Sequence, residues 1–352
     1  MKTGKLALAA LAAIGMTVLA QPAQARDQIR IVGSSTVYPF STAVAEQFGR
    51  ASGFKTPVVE STGSGGGIKL FCAGVGAEHP DITNSSRRIK GSELETCAKN
   101  GVTDVAEVKI GYDGIVLANS KKSPLYKLTV KQVYLALAKD VPANADGSEV
   151  KPNTAMYWSD VDASLPKVKI RVFGPPPTSG TRDAFAELVM EHACASYPAM
   201  KALEKSDKKK FQAVCMGVRE DGAYVEAGEN DNLIVQKLDA DPEALGIFGY
   251  SFLEQNADKV QGSIMNDQAP TFENISSGAY PVSRSMYFYV KKKHVGMVPG
   301  IQEYVNEFAS ERAWGNEGYL ADKGLIPMGD SERAQQAKSA MALAPVTKDM
   351  LK

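Results

Sequence analysis

Apolar and polar positions along this chain change period every few residues, from two to about 3.6 and back. "QIRIVGSS" reads as a short strand ending in a polar turn. "STVYPFSTAVAEQFGRASG" then takes helical spacing, with Phe40, Ala43, Val44 and Phe48 on one face. Ser35 or Thr36 is the expected N-cap, Pro39 suits the first turn, and Gly53 is a stop signal. "TPVVES" is a strand, "TGSGG" the turn after it, and Ile68, Phe71, Cys72 and Val75 mark a second helix face. "PDITNSSRRIK" is again a strand with a polar loop. This strand, loop, helix alternation predicts an α/β protein with parallel strands.

Further along, "VAEVKIGYDGIVLANS" gives two extended runs around a bend at residues 111–114, and "LTVKQVYLALAKD" a helix. "KVKIRVFG" is a strand stopped by a proline run, after which Thr178 or Ser179 can cap a helix with face Phe185, Leu188, Val189 and His192. "DNLIVQKLDADPEALGIFGYSFL" predicts a helix, a turn and a strand. "YPVSRSMYFYVKK" is a strand with alternating Tyr287 and Tyr289, and "GIQEYVNEFASERAW" a late helix. From about Ser331 the chain is polar and Ala-rich, which suggests a mobile tail.

The first 25 residues fall outside this pattern. A short basic start, the apolar run "LALAALAAIGMTVLA" and the small-x-small stretch Ala23 to Ala25 predict a secretory leader cleaved after Ala25. The run is short for a membrane span, and no Cys follows the expected cut to carry a lipid. Taking Lys2 and Lys5 from the 40 basic residues leaves 38 against 40 acidic ones. That balance gives no support for a nucleic-acid partner or a membrane-surface role. Four cysteines in an exported chain form two local pairs, Cys72–Cys97 and Cys194–Cys215, expected as structural disulfides. Their spacing matches no zinc site, so no metal and no cofactor is expected.

Candidate chemistry sits in loops. "GSST" (33–36), "TGSGG" (62–66) and "TSGT" (178–181) each follow a strand and lead into a helix, and "NSSRR" (84–88) adds two guanidinium groups. The first N–H groups of a helix lack internal partners and lie at its electropositive end. Hydroxyls add donors, and Gly admits close approach. Such loops make anion sites, and in an open α/β sheet they converge on one crevice. Each alone is weak, since N-caps and solvated arginines account for the same residues. "GSGGGIK" satisfies neither the nucleotide P-loop nor the dinucleotide fingerprint. His79, His192 and His294 lie far apart, and G-x-S-x-G and H-E-x-x-H are absent from the sequence, so no catalytic residues are assigned.

"VGSSTVYPF", "ESTGSGGGIK", "DITNSSR", "TSGTRDAF", "LGIFGY" and "YPVSRSMYFYV" occur in an order that resembles the periplasmic phosphate-binding proteins of ABC transporters, the PstS-like group. The resemblance covers residues from about 30 to 325. It implies a two-lobed periplasmic-binding-protein fold of type II, with "VKIGYDGIVLAN" and "YPVSRSMYFYV" as the two hinge crossover strands. Lobe 1 would comprise residues 26–112 and 285–352, and lobe 2 residues 113–284. The family's ligand positions fall on Thr36, Val37, Ser64, Ser179, Gly180 and Thr181. Where well-known members carry an acceptor Asp, this chain has Ser86, followed by Arg87. Where some place an Arg it has Pro175, so Arg182 is expected to supply the charge, with Asp183 orienting it.

The implied act is capture of inorganic phosphate between the lobes and delivery to an inner-membrane ABC permease, by a periplasmic monomer that is not an enzyme. Ser86 motivates a second reading, a receptor for sulfate, molybdate or tungstate. Hydroxyls near arginines motivate a third, an exported phosphohydrolase or sensor on the same scaffold. The lack of a base beside Ser64 argues against that third reading.

Overall fold

The computed structural model describes residues 26–351 apart from Ser35, Thr178, Glu229 and Asn230. The expected leader and the capping roles of Ser35 and Thr178 lie outside the described residues. The described residues form a nine-stranded sheet covered by helices. Its strands are β1 (Arg30–Gly33), β2 (Val58–Ser61), β3 (Ile82–Ser85), β4 (Val105–Ser120), β5 (Val172–Gly174), β6 (Tyr224–Glu226), β7 (Leu245–Gly249), β8 (Val260–Gly262) and β9 (Ser283–Lys291). They lie in the order β2-β1-β3-β9-β4-β7-β5-β6, with β8 also paired to β4.

The pairing divides this sheet into two parallel groups. β1 runs parallel to β2 and β3, and β5 runs parallel to β6 and β7. β4 and β9, antiparallel to each other, stand between them. β4 is 16 residues long, and its first half pairs with β9 while its second half pairs with β7 and β8. The sequence suggested two runs around a bend at residues 111–114. The strand is instead continuous, and the irregularity is a bulge where Met286 faces Gly111 and Tyr287 faces Lys109. A bulge adds a residue and local twist without ending the ladder.

Register decides where the strand ends point. Ser85, at the carboxyl end of β3, faces Tyr287, and β9 continues past it to pair Arg284 with Asp113. From the other side Gly249, at the carboxyl end of β7, faces Ile115. Both parallel groups therefore aim their carboxyl ends at the middle of β4, around Asp113.

The first helices start where apolar spacing predicts. α1 (Tyr38–Ala51) buries Phe40, Val44 and Phe48, each contributing roughly 1.5–3 kcal/mol by burial. α2 (Ser64–Phe71) buries Ile68 and Phe71 but ends at Phe71, so Cys72 and Val75 lie beyond it. α3 (Gly91–Lys99) buries Cys97. Cys72 bonds Cys97, and Cys194 bonds Cys215.

Four other local expectations change. Thr36 does not cap α1, whose N-cap is Val37 with its N–H donated to Ser34 Oγ at 3.3 Å. His192 is exposed, because α4 (Gly180–Phe185) passes into a π-helical stretch, Ala186–Glu191. The wider turn rotates the buried face onto Val189, Met190, Ala193 and Cys194. The strand ends at Gly249, and Tyr250–Gln255 is helical. The expected tail is a helix, α5 (Asp330–Met341), whose Glu332 accepts from Lys109 Nζ and Tyr112 Oη, both at 2.7 Å.

Candidate functional site

The loops after β1, β2 and β3 are bonded to one another. Asn84, 1% exposed, accepts the Ser34 N–H on its carbonyl at 3.0 Å and the Ser41 hydroxyl on Oδ1 at 3.0 Å. That fixes the first loop to the end of β3. Ser64 opens α2, and its Oγ lies 3.0 Å from Ser86 Oγ and accepts the Ser86 N–H at 3.1 Å. Gly67 makes this docking feasible. A Cβ there would lie 2.4 Å from Gly33 Cα and 2.7 Å from Thr83 Oγ1, so only Gly lets α2 start against β1.

Arg87 and Arg182 are both held by neighbours. Arg87 meets Glu93 of α3 through two bonds, 2.9 Å from Nη1 and 2.7 Å from Nη2, and also donates to the Arg88 carbonyl. Glu93 raises the Arg87 pKa, and Glu187 adds a smaller push in the same direction. Arg182 donates from Nη1 to the Pro175 carbonyl at 3.3 Å and lies 4.4 Å from the centroid of the Tyr224 ring. Tyr224 donates to the same carbonyl at 2.6 Å, and burial pushes its phenol up to about 12. Ser179 caps α4 by accepting the Thr181 N–H at 3.2 Å, while Gly180 is the first helical residue. The Asp183 N–H bonds the Ser179 carbonyl.

The residue that links these loops was not singled out in the sequence. Arg284, on β9, donates from Nη2 to Thr36 Oγ1 at 2.7 Å and from Nε to Asp113 Oδ2 at 3.2 Å, and its Nη1 bonds Glu187 Oε2. Its side chain is only 11% exposed. Burial pulls its pKa down, but Asp113 and Glu187 outweigh that and raise it. The carboxyl of Asp113 is itself raised by burial, against the pull of Arg284. A buried guanidinium without partners would cost several kcal/mol, so these three contacts are what permit it here. An Arg between Ser283 and Ser285, just ahead of the apolar run from Met286 to Val290, was the available signal.

The arrangement thus joins Thr36, through Arg284, to Glu187, six residues beyond Thr181 on the same helical segment. Thr36 is 6% exposed and Ser86 5%. Hydroxyls and one buried cation offer donors to an anion; among the described residues no group of three His, Cys, Asp or Glu could hold a metal ion. Nor is any described helix long and apolar enough to cross a membrane.

Comparison with known proteins gives a consistent picture. A family model described as a PBP superfamily domain matches residues 19–312. Protein SphX of Synechocystis sp. is 30% identical over 317 residues, which span 87% of this chain and 80% of that protein. Phosphate-binding protein PstS of Staphylococcus saprophyticus is 26% identical over 310 residues, 86% of this chain and 81% of its own length. The crystal structure of a possible phosphate binding protein from Planctomyces limnophilus superposes with a TM-score of 0.71 at 27% identity, covering 90% of this chain and 98% of that one. The chain belongs to the PBP superfamily, in its PstS-like group.

Proposed function

We propose that this chain captures inorganic phosphate between its two halves and hands it to an ABC permease for import. The observation that carries this reading is the buried guanidinium of Arg284 bonded to Thr36 Oγ1, where the carboxyl ends of both parallel groups meet. A desolvated oxyanion is costly unless donors and countercharge replace its water. Thr36, Val37, Ser64, Ser86, Ser179, Gly180 and Thr181 are the proposed donors, with Arg87, Arg182 and Asp183 at the margin. The names of the relatives and of the structural neighbour support phosphate as the ligand. Lobe 1 is taken as residues 26–112 and 285–352, and lobe 2 as 113–284, with β4 and β9 as the hinge. Closure on the ligand would shift the population toward the form that the permease accepts.

The protein acts, on this reading, as a periplasmic monomer after cleavage at about Ala25, and without turnover. Calorimetry on the exported form is the test. Saturable heat with phosphate is expected, and heat with sulfate, molybdate or tungstate alone would overturn the assignment. That second reading has its own observation: Ser86, where relatives with the acceptor Asp would have a carboxylate, is bonded to Ser64.

A further inference from the structure

Arg284 stands between two carboxylates of different standing. Asp113 is its cross-strand partner, its side chain 18% exposed, and the register of β4 and β9 fixes the pair. Glu187 comes from the helical segment after β5, its side chain 41% exposed, and can rotate into solvent. One carboxylate suffices to neutralise one guanidinium, so Glu187 is surplus negative charge beside a buried cation. Its Oε2 bonds Arg284 Nη1, while Nη2 of the same group bonds the Thr36 hydroxyl. Glu187 also acts on Arg87, across the site at the start of α2. A carboxylate offers a pair of acceptor oxygens, as one edge of a tetrahedral oxyanion does.

We propose that Arg284 is the cation of the ligand seat and that Glu187 is an internal anion occupying it until an oxyanion takes its place. This rests on the oxyanion reading given above. Asp113 stays on Nε as permanent counterion, and Nη1 passes from Glu187 to the ligand. Through the same guanidinium, the bond to Thr36 ties the half that carries Glu187 to the other half without ligand. A ligand must therefore outcompete a carboxylate already in position, which lowers affinity for every anion and sets a threshold that weak, singly bonding anions fail. Repulsion between Glu187 and a bound dianion then moves the freed side chain toward solvent, where its exposure already lets it go.

Calorimetry with inorganic phosphate and with sulfate tests this on the leaderless full chain. Glu187→Gln keeps the shape and removes the competing charge. It should tighten phosphate binding about tenfold, the worth of one charge-assisted bond, and change sulfate binding in the same direction. Arg284→Lys keeps the charge but not the fork, and should weaken phosphate about tenfold or more. Because a lone change at Arg284 leaves Asp113 uncompensated, the double variant Arg284→Gln with Asp113→Asn is the second probe, and it too should lose affinity. Unchanged or weaker phosphate binding in Glu187→Gln overturns the proposal, as does wild-type affinity in the double variant. Loss of the preference for phosphate over sulfate in Glu187→Gln also overturns it, since Glu187 would then be accepting the ligand's own proton. Absence of heat from the wild type with any oxyanion overturns the underlying reading instead, so the two failures are distinguishable.

Discussion

Arg284 donates to Thr36 Oγ1 across 2.7 Å, a bond between residues 248 positions apart. It connects the loop after the first strand to the last strand of the sheet. If the hydroxyl both accepts from the guanidinium and donates to a ligand, Thr36→Val removes two contacts at constant shape. Phosphate affinity should fall about tenfold or more, from loss of a bond to a charged group. Thr36→Ser should stay near wild type. Calorimetry on the three proteins checks this, and equal affinity for all three would remove Thr36 from the site.

Gly67 supports the same region by contact. A methyl group placed 2.4 Å from Gly33 Cα cannot be absorbed by a side-chain rotation, so α2 must move away from β1. Gly67→Ala should cost about 1–3 kcal/mol in denaturant unfolding. It should also weaken phosphate binding, because Ser64 and Ser86 would lose their register. A stable variant with wild-type affinity would show that the start of α2 plays no part in the seat.

Asp231 supplies a pH signature of opposite sign to that of an ion-paired carboxylate. Burial pushes its carboxyl from 3.8 up to about 6, although the Gly249 backbone pulls it down. The folded state therefore binds this proton more tightly than the unfolded one. Its contribution to stability is full below about pH 4 and is lost as pH rises through about 6. Asp231→Asn should raise stability at pH 7 by up to about 3 kcal/mol, with a smaller gain at pH 5. Melting curves of both proteins at the two pH values isolate this group, and a gain that does not vary with pH would refute the assignment.

The bond between Cys194 and Cys215 closes a separation of 21 residues and joins the end of the helical segment carrying Glu187 to the helix Lys208–Cys215. Replacing both by Ala should cost about 3 kcal/mol, the loop-closure value for that length. Equilibrium denaturation under non-reducing conditions gives the comparison, and an unchanged midpoint would contradict it.

The parts legible in the sequence are those whose cause is local. Phe40, Val44 and Phe48 repeat at helical spacing and are buried together. The hydroxyl-rich loops were readable because strand end, small residues and helix start adjoin in sequence. Arg284 was not readable in this way. Its partners Asp113, Glu187 and Thr36 lie 171, 97 and 248 residues away, and nothing beside it names them. His192 misled for a related reason. Periodicity assumes a constant turn, and the π-helical stretch from Ala186 changes it within the helix. Polar composition suggested a loose C-terminal segment, yet two bonds from Lys109 and Tyr112 to Glu332 dock it on β4.

The length of β4 bears on how the two halves can move. Sixteen consecutive residues serve as an inner strand for both, laddered to β9 over one stretch and to β7 and β8 over the next. Such a shared spine leaves no loose tether at that crossing, so any rotation must be taken up as torsion spread along hydrogen-bonded backbone. Neither half owns its central strand outright. Severing the chain within it would leave each fragment with an unsealed sheet edge, and the protein would be expected to fold and fail as one cooperative body.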